Sequence, residues 1–403
     1  METTMDFTSY KNSFPQTDLK KKPNRPAADF RLFTGARTWA VIHTEALVSN
    51  VKAIRRLLPS SCSVMAVVKA NAYGHGDLEV ASCLNRTGIR DFAVATLEEG
   101  IRLRQGGITG NILILGYTPA RMAQYLREYS LSQTIVDVLH GRELAETGVP
   151  LDVHLKIDTG MHRLGISFDQ REEILSLFTH PSLRISGMFT HLNAADSRLP
   201  EDIAYTKGQI RNFFSLASLL KKCRLPLPSL HIQSSYGILR YPGLPCDFAR
   251  PGILLYGCLS DPDSGRDLPP EIHPVLSWHS RIVSIRQVAD GDTAGYGRAW
   301  KAHGSRRLGV IPTGYGDGYP RSLSGRGEVL VCGRRAPVVG RICMDQMLVD
   351  LTEIPMARTG SLVTLIGQDG ECRITAEETA AKAGTIANEL LCCLGRRVHR
   401  ISG

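Results

Sequence analysis

Between residues 64 and 256, short apolar, β-branched runs recur with helix-compatible segments between most of them. The runs fall at 64–69, 91–95, 111–115, 132–136, 152–157, 184–189, 229–233 and 253–256, and helical patterns fall at 97–105, 119–129, 170–178 and 203–222. Apolar runs of this kind suit strands buried on both faces, as in parallel sheets. Parallel neighbours need a crossover, which the intervening helices supply. Eight such units predict an α/β chain whose sheet closes into a (β/α)8 TIM-type barrel over residues 37–270. Its opening stretch, TWAVIHTEAL, reads as a short strand and the start of a helix. An open doubly wound sheet competes, but it normally carries a Gly-rich dinucleotide turn after its first strand, and the sequence has none.

After Pro270 the texture changes. Short strands are predicted at 275–288, 308–312, 328–331, 336–339, 347–351 and 362–366, parted by Gly, Pro and Asp, so residues 271–403 form a separate, mostly-β domain. A helix over 375–383 starts at the capping pattern Thr375-x-x-Glu378. At the other end, residues 1–36 are polar, with Pro15, Pro23, Pro26 and a lysine run at 20–22, and are expected to be a disordered basic tail. The net charge of +9 is otherwise spread out, without a basic stripe interleaved with aromatics, so no nucleic-acid partner is expected. The ten cysteines show neither a CxxC pair nor metal-ligand spacing. Without a signal peptide they are expected to be reduced thiols in a cytoplasmic protein. No apolar run reaches membrane-spanning length, so no membrane is expected as a partner.

Lys69 ends the first apolar run, in VMAVVKANAYGHG. Burying a lone ammonium is costly. A structural lysine snorkels or pairs, but one at a strand end can instead condense with a carbonyl cofactor. Barrel active sites gather at the C-terminal ends of strands, and polar residues sit at that level on separate predicted strands. Lys69 and Tyr73 follow the first; Lys156, Asp158 and Arg163 the fifth, in HLKIDTGMHRLG; and His191 the sixth, in FTHLNAAD. His231, Ser234 and Ser235 follow the seventh, and Arg250, Gly252 and Ile253 lie at the eighth, in FARPGILLYG. The last two units form the usual barrel phosphate site, and the Ser235 hydroxyl with the N–H groups of Gly252 and Ile253 suits such an anion. On the residues alone, Gly252 also reads as a turn glycine, Arg250 as a salt-bridged arginine, His191 as a hydrogen-bonded rim histidine, and Lys156 as the ion-pair partner of Asp158.

The stretch VVKANAYGHG is similar to the cofactor-lysine motif of the bacterial alanine racemases, pyridoxal-phosphate enzymes of fold-type III built on a barrel plus a β domain. The resemblance runs from about Thr38 to Ile401 and takes in TAGYGRAW, IPTGYGDGYPR and GRICMDQMLVD. It implies pyridoxal 5'-phosphate on Lys69, with Tyr73, Ser235, Gly252 and Ile253 as phosphate ligands. It also implies that Arg250 donates to the pyridine nitrogen, a permanent cation that disfavours transamination. His191 would pack on the ring and Arg163 would bond the phenolic oxygen and border the substrate, held by Lys156, which is carbamylated in some relatives. The family forms homodimers with shared sites, so Tyr296 of one copy would face Lys69 of the other, oriented by His231. Met344, Asp345 and Tyr315 would line the substrate's approach. The implied reaction is the interconversion of L- and D-alanine, supplying a peptidoglycan precursor, with two bases because the proton leaves one face of the α-carbon and returns to the other.

One departure bears on the substrate. The family commonly has a tyrosine near the C-terminus that touches the phosphate and narrows the pocket; here, in LLCCLGRRVHRI, Arg396 falls at that place. Serine-accepting relatives also lack the tyrosine, so the resemblance extends to a serine or dual serine/alanine racemase. A related amino-acid decarboxylase and a non-catalytic carrier of the same cofactor, which lacks the β domain, are more distant alternatives.

Overall fold

The computed structural model describes residues 36–260 and 268–403. The tail expected over 1–36 therefore lies outside the described residues, apart from Ala36. The barrel is built from β2 (Ser63–Val67), which comes after the short strand β1 (Thr38–Ile42), then β3 (Asp91–Val94), β4 (Asn111–Ile114), β5 (Ser132–Ile135) and β6 (Leu151–Asp158). A short β7 (Ile166–Ser167) pairs in parallel with the end of β6, and β8 (Leu183–Phe189), β9 (Ser229–His231) and β10 (Phe248–Ala249) complete the ring. Neighbours pair in parallel around the circle, with β5 joined to β6 and β10 joined to β2, so the eight-stranded sheet closes on itself.

Alternation along the strands divides inside from outside. On β2, Val64 and Ala66 pack under the surrounding helices, while Met65 and Val67 join Ala93, Leu113 and Phe189 in a separate cluster inside the barrel. On β6, Val153, Leu155 and Ile157 belong to the outer core, which turns His154 and Lys156 inward. The interior thus has an apolar arc on β2–β4 and a polar arc on β6, β9 and β10.

Two expected boundaries shift. The run 253–256 is not the eighth strand: Ile253–Tyr256 forms a single 3-10 turn, and the strand is β10, five residues earlier. A short run buried on every side carries no period to separate strand from helix, and Pro251 and Gly252 break the extended chain before it. The second shift concerns β1, expected at the head of the barrel. It pairs antiparallel with Leu276–Arg281 and parallel with His399–Ser402, in the sheet of the second domain. A closed barrel offers no edge, so a ninth strand must find its partners elsewhere.

That second sheet has ten strands, running from Ser284–Val288 at one edge to His399–Ser402 at the other. The helix Ala376–Ala383 lies against it; the Thr375 hydroxyl accepts from Glu378 N at 3.1 Å, and left-handed Gly384 ends the helix. All ten cysteines are unbridged. Among the described residues no helix is long and apolar enough to cross a membrane.

Candidate active site

The C-terminal ends of the barrel strands surround a cavity of about 430 Å³. Lys69, Tyr73, Lys156, Arg163, His191, Ser235, Arg250, Gly252 and Ile253 all line it. Four of its lining side chains are Lys or Arg, and none is Asp or Glu. A cavity with this surplus of positive charge suits a ligand carrying more than one negative group.

Lys69 is held by an unusual piece of backbone. Ala70, Asn71, Ala72 and Tyr73 all have φ between 51° and 55°, a left-handed turn of four non-glycine residues. Each such residue costs ~1–2 kcal/mol, so the turn persists only where its surroundings enforce it. The Glu99 carboxylate does so from below, accepting from Ala70 N and from Ala95 N, both at 2.7 Å. His75 closes the turn from inside: Nδ1 lies 3.0 Å from Ala72 O and 2.9 Å from Tyr73 O, so it carries the proton and donates. Burial pushes the His75 pKa down to about 4 and keeps the ring neutral. Gly74 must be glycine, because a Cβ there would stand 1.9 Å from Leu391 O. The result places Lys69 and Tyr73 on the same cavity. Burial, with the Arg163 charge adding to it, pulls the Lys69 pKa below its ordinary value, which favours a free amine.

At the anion end, the Ser235 hydroxyl accepts from Gly252 N at 3.1 Å and Leu254 N at 3.2 Å. A Cβ at Gly252 would meet Tyr73 Oη at 2.5 Å, so this glycine makes room for the phenol. Two hydroxyls and the start of the 3-10 turn therefore converge on one corner of the cavity, as a phosphate requires.

Lys156 does not pair with Asp158. The Asp158 carboxylate is taken up by Gly160 N, Met161 N and His162 N at 2.9, 3.0 and 3.1 Å, and by His162 Nδ1 at 3.0 Å. These bonds hold Asp158 below its ordinary pKa against the effect of burial. Lys156 Nζ instead stands 5.6 Å from the Phe189 ring centre. Burial, then the Arg163 and Arg250 charges, bring its pKa down to about 8.

Arg250 is buried, and its two terminal nitrogens make three hydrogen bonds within the chain. Nη2 donates to Thr190 O at 2.7 Å and Ile232 O at 3.0 Å, and Nη1 meets His231 Nδ1 at 2.8 Å. The guanidinium also lies 5.0 Å from the Phe189 ring centre. Burial first, then the surrounding Arg250 and Lys156 charges, lower the His191 pKa to about 3, so it faces the cavity as a neutral imidazole. His231 is not available to orient Tyr296: it is fully buried, with one ring nitrogen at Arg250 and the other 2.9 Å from His154 Nδ1.

The remaining expected residues stand apart from this cavity. Tyr296, Tyr315 and Met344 are 68%, 41% and 53% exposed, Asp345 is exposed too, and none of the four lines it. They are nevertheless grouped. Tyr315 N donates to Cys343 O at 3.1 Å and Gly316 N to Met344 O at 2.8 Å. Arg397 ties Asp345 (2.7 Å) to buried Asp317 (3.2 Å), which also pairs with Arg37. Gly295 and Gly297, both at positive φ, bend the Tyr296 turn against Arg341.

Arg396 is exposed and does not line the cavity; the C-terminal segment contributes Asn388 instead, whose Oδ1 is buried without a partner. Asn388 reaches the cavity from the short helix Ala387–Cys392, which precedes Arg396. Phe189 and Asn388, which line the cavity, and Glu99, which bonds the turn behind Lys69, carry no mark in the sequence. An aromatic in an apolar run and an acid bonding backbone 29 residues away leave no local signal.

A model of the alanine racemase N-terminal domain matches residues 42–260, and one of the C-terminal domain matches residues 275–402. An amino-acid racemase of Enterococcus faecalis is 40% identical over 96% of this chain and 53% of its own length. A serine/alanine racemase of Enterococcus gallinarum is 42% identical over 88% of this chain and 50% of its own. The chain thus spans about half the length of these two relatives. Among solved structures, an alanine racemase of Clostridium difficile 630 superposes with a TM-score of 0.85 at 35% identity, covering 92% of this chain and 96% of that one.

Proposed function

The chain belongs to the alanine racemase family, and from that premise we propose that it interconverts L- and D-alanine with pyridoxal 5'-phosphate, using Lys69 and the Tyr296 of a second copy as opposed bases. The observation that carries this reading is the carboxylate-free cavity in which a lysine of lowered pKa faces two hydroxyls and three further cations. That set fits the proposed cofactor. Tyr73, Ser235, Gly252 and Ile253 would hold its phosphate, Arg250 its ring nitrogen, Arg163 its phenolic oxygen, and His191 would cover its ring. When bound, the cofactor withdraws electrons from the substrate and so acidifies the α-hydrogen.

The chain does the rest. Lys69 takes or returns the proton on one face, with its free amine favoured by burial. Tyr296, presented by a second copy, serves the opposite face. The Met344 backbone and Arg163 orient the substrate carboxylate, with Asp345 beside them and Tyr315 at the approach. Lys156, uncharged for an appreciable fraction of the time near its pKa of about 8, is competent to be carbamylated; the acid so formed would pair with Arg163.

A second reading, a serine or dual serine/alanine racemase, is supported by Asn388. Its unpartnered Oδ1 would accept a hydrogen bond from a substrate hydroxyl, which alanine lacks. The test is deuterium wash-in at the α-carbon of L-alanine and L-serine by the cofactor-loaded chain, with kcat/KM compared. Exchange into alanine, lost in Lys69→Ala, supports the proposal. A strong serine preference replaces it with the second reading. Cofactor retention without exchange leaves a carrier, and carbon dioxide release from a basic amino acid a decarboxylase.

A further inference from the structure

Behind Arg250 a line of contacts runs into the barrel: Arg250 Nη1 to His231 Nδ1 at 2.8 Å, then His231 Nε2 to His154 Nδ1 at 2.9 Å. Its proton positions derive from one fact. A guanidinium only donates, so His231 Nδ1 is the acceptor. A neutral imidazole has one N–H, so His231 carries its hydrogen on Nε2 and donates it to His154. His154 Nδ1 is therefore bare, and its own hydrogen sits on Nε2. A second proton on His231 would set an N–H against the guanidinium. Burial also opposes it, lowering His154 to about 4 and His231 well below its ordinary value.

The backbone makes a place for His154. Strands β6 and β8 pair regularly through Val153 with Ile185; then the ladder slips, Ser186 is skipped, and His154 faces Gly187. A bulge of this kind re-aims a side chain. A Cβ at Gly187 would lie 2.3 Å from His154 Nδ1 and 2.4 Å from Cε1. Gly187 is not at positive φ, so the missing side chain gives space and not conformational freedom. Two residues on, the Phe189 ring stacks on His231 at 4.7 Å and 15°. An irregular ladder, an absent side chain and an aromatic plate all serve one imidazole pair.

We propose that His154 is a positioning residue: acting through His231, it sets the orientation of Arg250 and thereby how rarely turnover ends in transamination instead of racemisation. This rests on the racemase reading, in which Arg250 faces the cofactor's ring nitrogen. In the side reaction, L-alanine and the cofactor aldehyde become pyruvate and the cofactor amine. Alanine loses two electrons, the cofactor gains them, and the α-proton ends on the former aldehyde carbon.

The experiment compares the unaltered, cofactor-loaded chain with His154→Leu, His154→Gln and Gly187→Ala. The first readout is pyruvate formed per D-alanine formed. The second is the 15N signals of the His154 and His231 rings in histidine-labelled protein without cofactor. His154→Leu, which leaves the His231 N–H without an acceptor, is expected to raise the pyruvate ratio by about tenfold or more. Gly187→Ala, which displaces the ring, moves it the same way. His154→Gln supplies a carbonyl acceptor and returns the ratio to within about twofold of the unaltered chain. The unaltered chain shows bare Nδ1 atoms on both rings. Equal losses of racemisation in all variants at a constant ratio would mean that His154 only packs, and would overturn the proposal. So would a protonated Nδ1 on either ring, a result independent of any catalysis. Failure of the unaltered chain to racemise at all would instead remove the reading on which the proposal rests. Should His154→Leu not fold, Gly187→Ala and the ring signals decide.

Discussion

At the barrel mouth, Lys69, Lys156, His191 and Arg250 of one chain line a single cavity, whereas on the β domain Tyr296, Tyr315 and Met344 stand in the open. Both regions are pre-shaped. The mouth has its left-handed turn clamped by Glu99 and His75, and the rim has its loops tied by Asp317 and Arg397. They differ in which side is finished. The mouth gathers cations without carboxylates in a cavity, and the braced rim presents Tyr296 and Tyr315 to the outside. On the proposed function, the exposed Tyr296 of one copy would complete the cavity of a second, in the isologous manner of a twofold dimer.

The largest effect separates the halves outright. Lys69→Ala and Tyr296→Phe are each expected to be nearly inactive as pure proteins, the former losing about 10⁴-fold or more in α-hydrogen exchange. Mixed and allowed to reassociate, they should recover about a quarter of the unaltered activity, because half of the dimers are hybrids with one intact site of two. No recovery on mixing would place both bases in one chain and end the comparison. Next in size, Tyr296→Phe alone should lose about 10²–10³-fold in kcat. It should leave the thermal midpoint nearly unmoved, because the side chain is 68% exposed; a large drop in midpoint would show that this residue is structural.

Glu99→Ala tests the interior half. Two backbone N–H groups lose their acceptor, at ~1–3 kcal/mol for each that stays buried, and the strained turn is freed. We expect faster hydrogen exchange at Ala70 and a rate loss of about 10–10²-fold from displaced Lys69. Unchanged exchange at Ala70 would mean that the turn stands without this clamp.

The smallest effect is a pH dependence. The Lys156 pKa is lowered to about 8 in the folded chain from 10.5 in a free side chain. Between those values the unfolded chain binds more protons, so stability rises with pH across that window, and below about 8 the burial penalty is present in full. Lys156→Met in cofactor-free protein should therefore raise the thermal midpoint at pH 7. The gain should shrink toward pH 10, and a gain independent of pH would show that the ammonium is not the cause.

Much of this molecule is legible in its residues. The barrel could be read from the spacing of apolar runs, since strands buried on both faces leave a mark every residue along. Lys69, Tyr73, Ser235 and Arg250 could be placed at the mouth because a strand's C-terminal end fixes the level of the residues next to it. Where the period was too short to read, at 253–256, helix and strand could not be told apart. Where the expectation rested on resemblance, Arg396 stands outside the cavity, and Asn388, which no local pattern marks, lines it.

Residue order alone settled the architecture and the inventory: a closed parallel barrel, a β domain, and a lysine with its cations at one rim. These depend on local period and on residue type. Three-dimensional packing alone settled that β1 joins the second sheet, that Glu99 clamps a turn 29 residues away, that Asp158 is spent on backbone, and that His231 looks inward to His154. Each is a pairing of donors and acceptors distant in sequence. Such a pairing is chosen by which groups the fold leaves unsatisfied in its interior, which no local pattern records.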